Sequence, residues 1–142
     1  DPVFKDKSLE NHYKLNTDNQ SQISLNEKEF YKKMYKDGTK FILKKKKIKT
    51  LLDVGCSNGI SLDMSKSLGI KSFGLELNEK EARLAGKNHK IFNKSIFTFN
   101  EKIKFDAITM WDVIEHIKDT HKLLKKISKM LNDGGVFFFS NT

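Results

Sequence analysis

Residues Leu51 to Gly59 read Leu-Leu-Asp-Val-Gly-Cys-Ser-Asn-Gly, an apolar strand running straight into a glycine turn. The strand ends at Asp53 and Val54, and the turn, carrying Gly55 and Gly59, leads into the helical spacing Ile60, Met64, Leu68. Nothing else in the chain restricts the fold as strongly. This is how a parallel α/β sheet builds a nucleotide site at the carboxyl end of a strand, where glycines let backbone approach a ligand and a helix N-terminus presents N–H groups. About twenty residues on, the apolar run Ser72-Phe-Gly-Leu-Glu-Leu77 delivers Glu76. From that position a carboxylate can accept hydrogen bonds from ribose hydroxyls.

The details of the turn discriminate between nucleotides. A dinucleotide fingerprint requires G-x-G-x-x-G, but counting from Gly55 the chain has Ser57 and Ile60 at the second and third glycine positions. Asp53 also stands two residues before the first glycine, close to where a pyrophosphate would lie. An anion is poorly served there. A ligand with an adenosine, no phosphate, an ammonium and a sulfonium suits Asp53 and Glu76 better, which points to S-adenosyl-L-methionine. NAD binding, and a βαβ unit with no ligand at its turn, stand as the alternatives.

Four segments carry a resemblance. Asp53-Val-Gly-Cys-Ser-Asn-Gly59 resembles the first motif, D-x-G-x-G-x-G, of class I S-adenosylmethionine-dependent methyltransferases, with Ser57 in place of the middle glycine. Gly74-Leu-Glu-Leu77 resembles their ribose-binding motif. Phe105-Asp-Ala-Ile-Thr-Met-Trp-Asp-Val-Ile-Glu-His-Ile117 is similar to their fourth strand in a small bacterial group with an x-D-V-x-E-H sequence, and Leu131-Asn-Asp-Gly-Gly-Val136 to the turn into their fifth strand. The likeness extends over residues 48–140.

The resemblance implies a Rossmann-like, doubly wound α/β fold with parallel strands in the order 3-2-1-4-5. The alternation of strand and helix patterns agrees, since it implies a parallel sheet covered on both faces. The chain departs from the family pattern in stopping just after strand five, so the usual sixth and seventh strands are expected to be missing.

Three regions are expected: a polar arm over 1–25, a helix over 26–47 and the cofactor-binding core over 48–142. Asn26 and Glu29 read as a capping box for the helix, with Phe30, Met34 and Phe41 as its apolar face and Gly38 weakening its middle. Strands are expected at Thr50–Val54, Ser72–Leu77, Ser95–Phe97, Phe105–Met110 and Val136–Ser140. Helices are expected at Ile60–Leu68, from Asn78 to near Asn88 with Asn78 and Glu81 as a capping box, and from Asp119 with the stripe Leu123, Leu124, Ile127, Leu131.

Charge and cysteine content narrow the classes. The net charge is +9, of which residues 1–50 supply +6, with Lys44 to Lys47 at the peak. Arginine is the residue that dominates bidentate contacts to guanine and phosphate. Here Arg83 is the only arginine among 27 basic residues, which argues against a nucleic-acid reader. No stretch nears the roughly eighteen apolar residues of a membrane span, so no membrane partner is expected, and the polar Asp1 to Glu10 does not read as a signal peptide. Cys56 alone allows no internal disulfide and no metal-ligand spacing. A cytoplasmic setting and no metal are the expectations.

The expected activity is methyl transfer to a small-molecule acceptor at oxygen, nitrogen or carbon. A non-catalytic S-adenosylmethionine-binding module is the alternative, and an RNA methyltransferase a more distant one. Asp53 is assigned to the methionine ammonium, the Gly55-Cys56-Ser57-Asn58-Gly59 backbone to the methionine and ribose, and Glu76 to the ribose hydroxyls. Leu77 and Ile96 are assigned to the adenine. The resemblance places Trp111 and Asp112 near the sulfonium and the acceptor mouth, although Trp111 reads equally as packing. His116 is the candidate general base, because an imidazole titrates near neutrality; packing against the helix is the competing role. His12, His89 and His121 read as surface. Cys56 reads as a small residue in a tight turn, with an activated thiol as the alternative. Strand five, with three phenylalanines and no charge after Asp133, would be an open edge, so it is expected to be covered, either by a second copy in a homo-oligomer or by chain segments outside this sequence.

Overall fold

The computed structural model describes residues 25–100 and 102–140. Five parallel strands form one sheet: β1 (Thr50–Val54), β2 (Lys71–Leu75), β3 (Lys90–Phe92), β4 (Phe105–Trp111) and β5 (Leu131–Ser140), in the order β3-β2-β1-β4-β5. This is the expected order. Among the described residues the helices are α1 (Leu25–Lys45), α2 (Ile60–Ser67), α3 (Glu79–Ala85) and α4 (Thr120–Met130), with a 3₁₀ turn at Ile114–His116. The sheet order reverses between β1 and β4, and the loops that follow these two strands meet at its carboxyl edge.

Alternation along β1 divides the core. Leu52 and Val54 join Phe105, Ile108, Met110, Leu123 and Ile127 on the α4 face, while Leu51 joins Ile42, Cys56, Leu62 and Ala107 on the α1/α2 face. Truncating a fully buried side chain such as Leu52 or Leu123 costs about 2–5 kcal/mol, so both layers are needed. Asp106 ties the lower end together. Its carboxylate accepts from Lys49 N at 2.8 Å, Thr50 N at 3.2 Å and Asn132 Nδ2 at 2.9 Å. The Asn132 amide, then the backbone N–H groups, hold its carboxyl below the usual range.

Several expectations are corrected. The third strand is Lys90–Phe92, not Ser95–Phe97. Ser95 instead closes a turn, its backbone oxygen accepting from Thr98 N and Phe99 N while its hydroxyl accepts from Phe97 N. The turn drives Ile96 and Phe99 into the core. On α1, Asn26 lies within the helix, and Phe30 and Phe41 are exposed; Thr39 and Ile42 face inward, with Tyr35, Gly38 and Leu43 half-buried. Gly38 sets this rotation. A Cβ there would overlap the Trp111 indole, so the helix lies directly on that ring.

On α2 the buried residues are Ser61, Leu62 and Ser65, while Ile60, Met64 and Leu68 are half-buried. Small serines let α2 lie close to the sheet, and Ser65 Oγ meets Ser72 Oγ at 2.6 Å. Met130, rather than Leu124, completes the buried stripe of α4; Leu124 is exposed and Leu131 begins β5. β5 starts five residues earlier than expected. A register break between the Phe105↔Leu131 and Ala107↔Val136 pairs absorbs Asn132 to Gly135. Residues 1–24 of the polar arm, His12 among them, lie outside the described residues, and Leu25 begins α1.

Candidate functional site

The turn after β1 is built by its contacts to β2 and β4. Gly55 N and Cys56 N both donate to Leu75 O, at 2.8 and 3.1 Å. Gly55 has φ 79, and a Cβ on it would lie 2.6 Å from Val113 Cγ2, so the segment after β4 packs directly over it. Ser57 takes a left-handed φ of 51 without being glycine, a conformation that costs an L-residue roughly 1–2 kcal/mol. Its amide is held there by donating to Glu76 Oε1 at 2.8 Å. Gly59 opens α2.

Glu76, just past β2, is 2 % exposed. Its second oxygen accepts from Asn78 N at 2.8 Å. Two backbone donors thus fix the plane of the carboxylate. Asn78 caps α3 by accepting from Glu81 N at 2.9 Å, as expected, but its own N–H serves Glu76. The site therefore recruits a donor that the capping box would have used within the helix.

Asp53 is buried, and its partners are two hydroxyls: Ser61 Oγ donates to Oδ2, and Thr109 Oγ1 donates to Oδ1 at 2.9 Å. Among the described residues no cation pairs with it. Burial, partly offset by those hydroxyls, pushes its carboxyl up to about 7, and Glu76 adds to the rise. A carboxylate desolvated without a counter-charge is a site for a cationic group.

At the end of β4, Asp112 has φ 56, and its Oδ1 is buried with no hydrogen-bond partner. Its N–H donates to Ser140 O at 3.0 Å, and Ser140 Oγ is likewise buried without a partner. Left-handed strain and an unmet acceptor in one residue mark a place that a ligand's N–H or O–H can complete.

Trp111 packs: its ring lies 5.2 Å from both Tyr35 and Phe138 and against Gly38. Tyr35 is the residue that sequence reasoning missed. It projects from α1, and burial, reinforced by Asp53, Tyr31 and Asp112, drives its phenol well above the usual range. The signal is Tyr31 and Tyr35, one helical turn apart, which an apolar face phased on Phe30, Met34 and Phe41 passes over.

The remaining candidates are dispersed. Leu77 is half-buried against the cluster in which Ile96 is enclosed. His116 is half-exposed in the 3₁₀ turn, with Nε2 3.8 Å from Glu115 Oε1. Cys56 is buried, and burial together with Asp53 and Glu76 pushes its thiol up, contrary to the activated-thiol alternative. Its sulfur lies where a Cβ on Gly74 would be, 2.5 Å away, so a small β2 neighbour accommodates it. His89 is not surface: its side chain is 4 % exposed and its Nε2 meets Asp63 Oδ1 at 2.6 Å. His121 is exposed. Among the described residues no cluster of His, Cys, Asp and Glu could hold a metal, and no helix is long and apolar enough to cross a membrane.

Comparison with known proteins bears on the family and the fold. A family model described as a methyltransferase domain matches residues 26–142. The ubiquinone biosynthesis O-methyltransferase of Pelagibacter ubique is 31 % identical over 98 residues, covering 63 % of this chain and 40 % of the relative. That of Thiobacillus denitrificans is 27 % identical over 101 residues, covering 65 % and 44 %. The chain thus spans less than half the length of these relatives. Among solved structures, the plantazolicin methyltransferase BpumL, in complex with a pentazolic desmethylPZN analog and SAH, superposes with a TM-score of 0.72 at 18 % identity, covering 92 % of this chain and 52 % of that one. CalS10 with bound SAM, an amino pentose methyltransferase from Micromonospora echinaspora, gives 0.70 at 21 % identity, covering 84 % and 57 %. At these identities the likeness establishes the fold.

Proposed function

This chain belongs to the methyltransferase-domain family, of the class I S-adenosylmethionine-dependent kind, and we propose that it binds S-adenosyl-L-methionine at the carboxyl ends of β1, β2 and β4 and methylates a small-molecule acceptor. The observation that carries this reading is Asp53, a buried carboxylate hydrogen-bonded only by hydroxyls and lacking a cation among the described residues. The cofactor's ammonium supplies that cation. A dinucleotide pyrophosphate would place a second anion beside it.

The residues divide the work. Asp53 holds the ammonium, the Gly55–Gly59 backbone passes beneath the methionine and ribose, and Glu76 accepts from the ribose hydroxyls in the orientation that Ser57 N and Asn78 N impose. Leu77 covers the adenine, with Ile96 as the apolar support behind it. When bound, the cofactor contributes a methyl group already activated by its sulfonium. The chain need then only align the acceptor, exclude water and, for an oxygen acceptor, remove a proton. Trp111 and Tyr35 wall the mouth against water, Asp112 Oδ1 accepts from the acceptor or the cofactor, and His116 takes the proton.

Within the proposal, residues 48–142 form the cofactor core and α1 covers it, the whole working in the cytoplasm. The outer edge of β5 has no partner strand among the described residues, and Phe139 beside it is 48 % exposed, so a second copy pairs there. Light scattering showing a monomer would remove this last element.

The test is formation of S-adenosylhomocysteine from S-adenosylmethionine with panels of hydroxylated and amine-bearing small molecules. Turnover above the acceptor-free rate, lost in Asp53→Asn, supports the reading. Binding of the cofactor without turnover on any panel favours a non-catalytic binding module.

A further inference from the structure

Outside the site, exposed lysines gather at the amino end of the sheet, opposite Asp53, Glu76 and Asp112, while Lys80, Lys94 and Lys118 follow β2, β3 and β4 at the carboxyl end. Lys49, Lys71 and Lys104 stand at the starts of β1, β2 and β4, three adjacent strands, and all are exposed. Lys71 N donates to Lys49 O at 3.0 Å, and neighbouring strands lie about 4.8 Å apart, so the row is roughly 10 Å long.

Lys46 and Lys47 follow α1 on the same edge, where the Lys46 ammonium reaches the β5 bulge at Gly134, and Lys102 leads into β4. Among the described residues none of these six makes an ion pair, whereas Lys32, Lys33 and Arg83 on helix faces do. The acidic groups facing the row are Asp106, engaged by backbone N–H groups and Asn132, and the exposed Asp133; Glu101 lies outside the described residues. Between Lys102 and Lys104, Ile103 projects with 42 % of its surface exposed.

We propose that this amino edge docks on an anionic lipid bilayer, with the lysines among the headgroups, Ile103 at the acyl boundary and the carboxyl-end site facing away from the surface. The proposed contact is peripheral. A protruding aliphatic side chain flanked by lysines suits a headgroup boundary, and each lysine near an anionic surface strengthens attraction about fivefold. Nucleic acid is the poorer match, because the row has no arginine fork and the Phe73 ring beneath Lys71 is buried, leaving no aromatic face there for base stacking.

Vesicle flotation of the 142-residue chain tests this, with phosphatidylcholine alone and with phosphatidylcholine mixed with phosphatidylglycerol. The chain should float with the anionic vesicles only and be released by high salt, which screens exposed charge. Lys49→Glu/Lys71→Glu/Lys104→Glu should lose at least about 100-fold in vesicle affinity. Lys49→Arg/Lys71→Arg/Lys104→Arg should keep it, which separates charge from any effect on folding, read in parallel by thermal melting. Ile103→Ser should weaken binding several-fold and leave the salt dependence unchanged. Equal flotation with both vesicle types, or none with the anionic ones, overturns the proposal. So does a single-stranded RNA oligonucleotide that binds more tightly and strips the chain from vesicles, which would make the edge a nucleic-acid surface.

Discussion

The Ser57 amide donates to the Glu76 carboxylate at 2.8 Å, so the turn after β1 and the end of β2 form one hydrogen-bonded unit. Glu76→Ala therefore removes two things at once, the ribose acceptor and the anchor of the turn. It should cost on the order of 2–3 kcal/mol of S-adenosylhomocysteine affinity and lower the melting temperature. Glu76→Gln, which keeps a carbonyl acceptor, should cost less on both counts. Calorimetric titration and thermal melting of the pair decide it, and parental affinity in both variants would remove Glu76 from the site.

Ser57 itself carries left-handed strain at φ 51. Ser57→Gly relieves roughly 1–2 kcal/mol of that strain and returns about 0.5–1 kcal/mol through added freedom of the unfolded chain. The variant should be as stable as the parent or up to about 1.5 kcal/mol more so, with cofactor affinity retained because the donor is backbone. Ser57→Val should instead destabilise. Urea unfolding of both variants checks the sign.

Gly38 tests how α1 meets the site. Helix propensity alone favours alanine by about 1 kcal/mol, but a Cβ would overlap the Trp111 ring, and overpacking costs roughly 1–3 kcal/mol. Gly38→Ala should therefore be net destabilising, and Trp111→Leu should remove the penalty in the double variant. A stabilised single variant would show that α1 does not rest on this indole.

Protonation of Asp53 gives a pH test. Its carboxyl lies at about 7 in the folded chain, above the ordinary value near 3.9. The fold thus holds this proton more tightly than the unfolded chain does. Its contribution to stability is complete below the ordinary carboxyl range and is lost as pH rises through about 7. Ligand binding runs the other way, because an ammonium pairs with the ionised form. S-adenosylhomocysteine affinity should rise with pH up to about 7 and then level, with proton release on binding at pH 6. Asp53→Asn should abolish the slope. A flat profile in the parent chain would contradict the assignment.

The glycine turn and the positions of both carboxylates were legible in the chain because each depends on short-range features: an apolar run, a glycine, an acidic residue at a strand end; the sheet order followed from the family resemblance. The helix faces were not readable in this way. On α1 the phase follows from Gly38 meeting Trp111, residues far apart in sequence, and on α2 from serines admitted by close packing. β3 was misplaced because Ser95-Ile-Phe97 and Lys90-Ile-Phe92 have similar apolar content, and only the hydrogen bonds of Ser95 turn the former away from the sheet. Tyr35 entered the site by the same long-range route.

Isothermal titration of the intact chain with S-adenosylhomocysteine and, separately, with NAD addresses the central claim most directly. The two carboxylates and the incomplete dinucleotide fingerprint predict a dissociation constant in the micromolar range for the first, about 8 kcal/mol of binding free energy, and no measurable heat from the second. Comparable binding of NAD, or no binding of S-adenosylhomocysteine by a chain that melts cooperatively, would contradict the account.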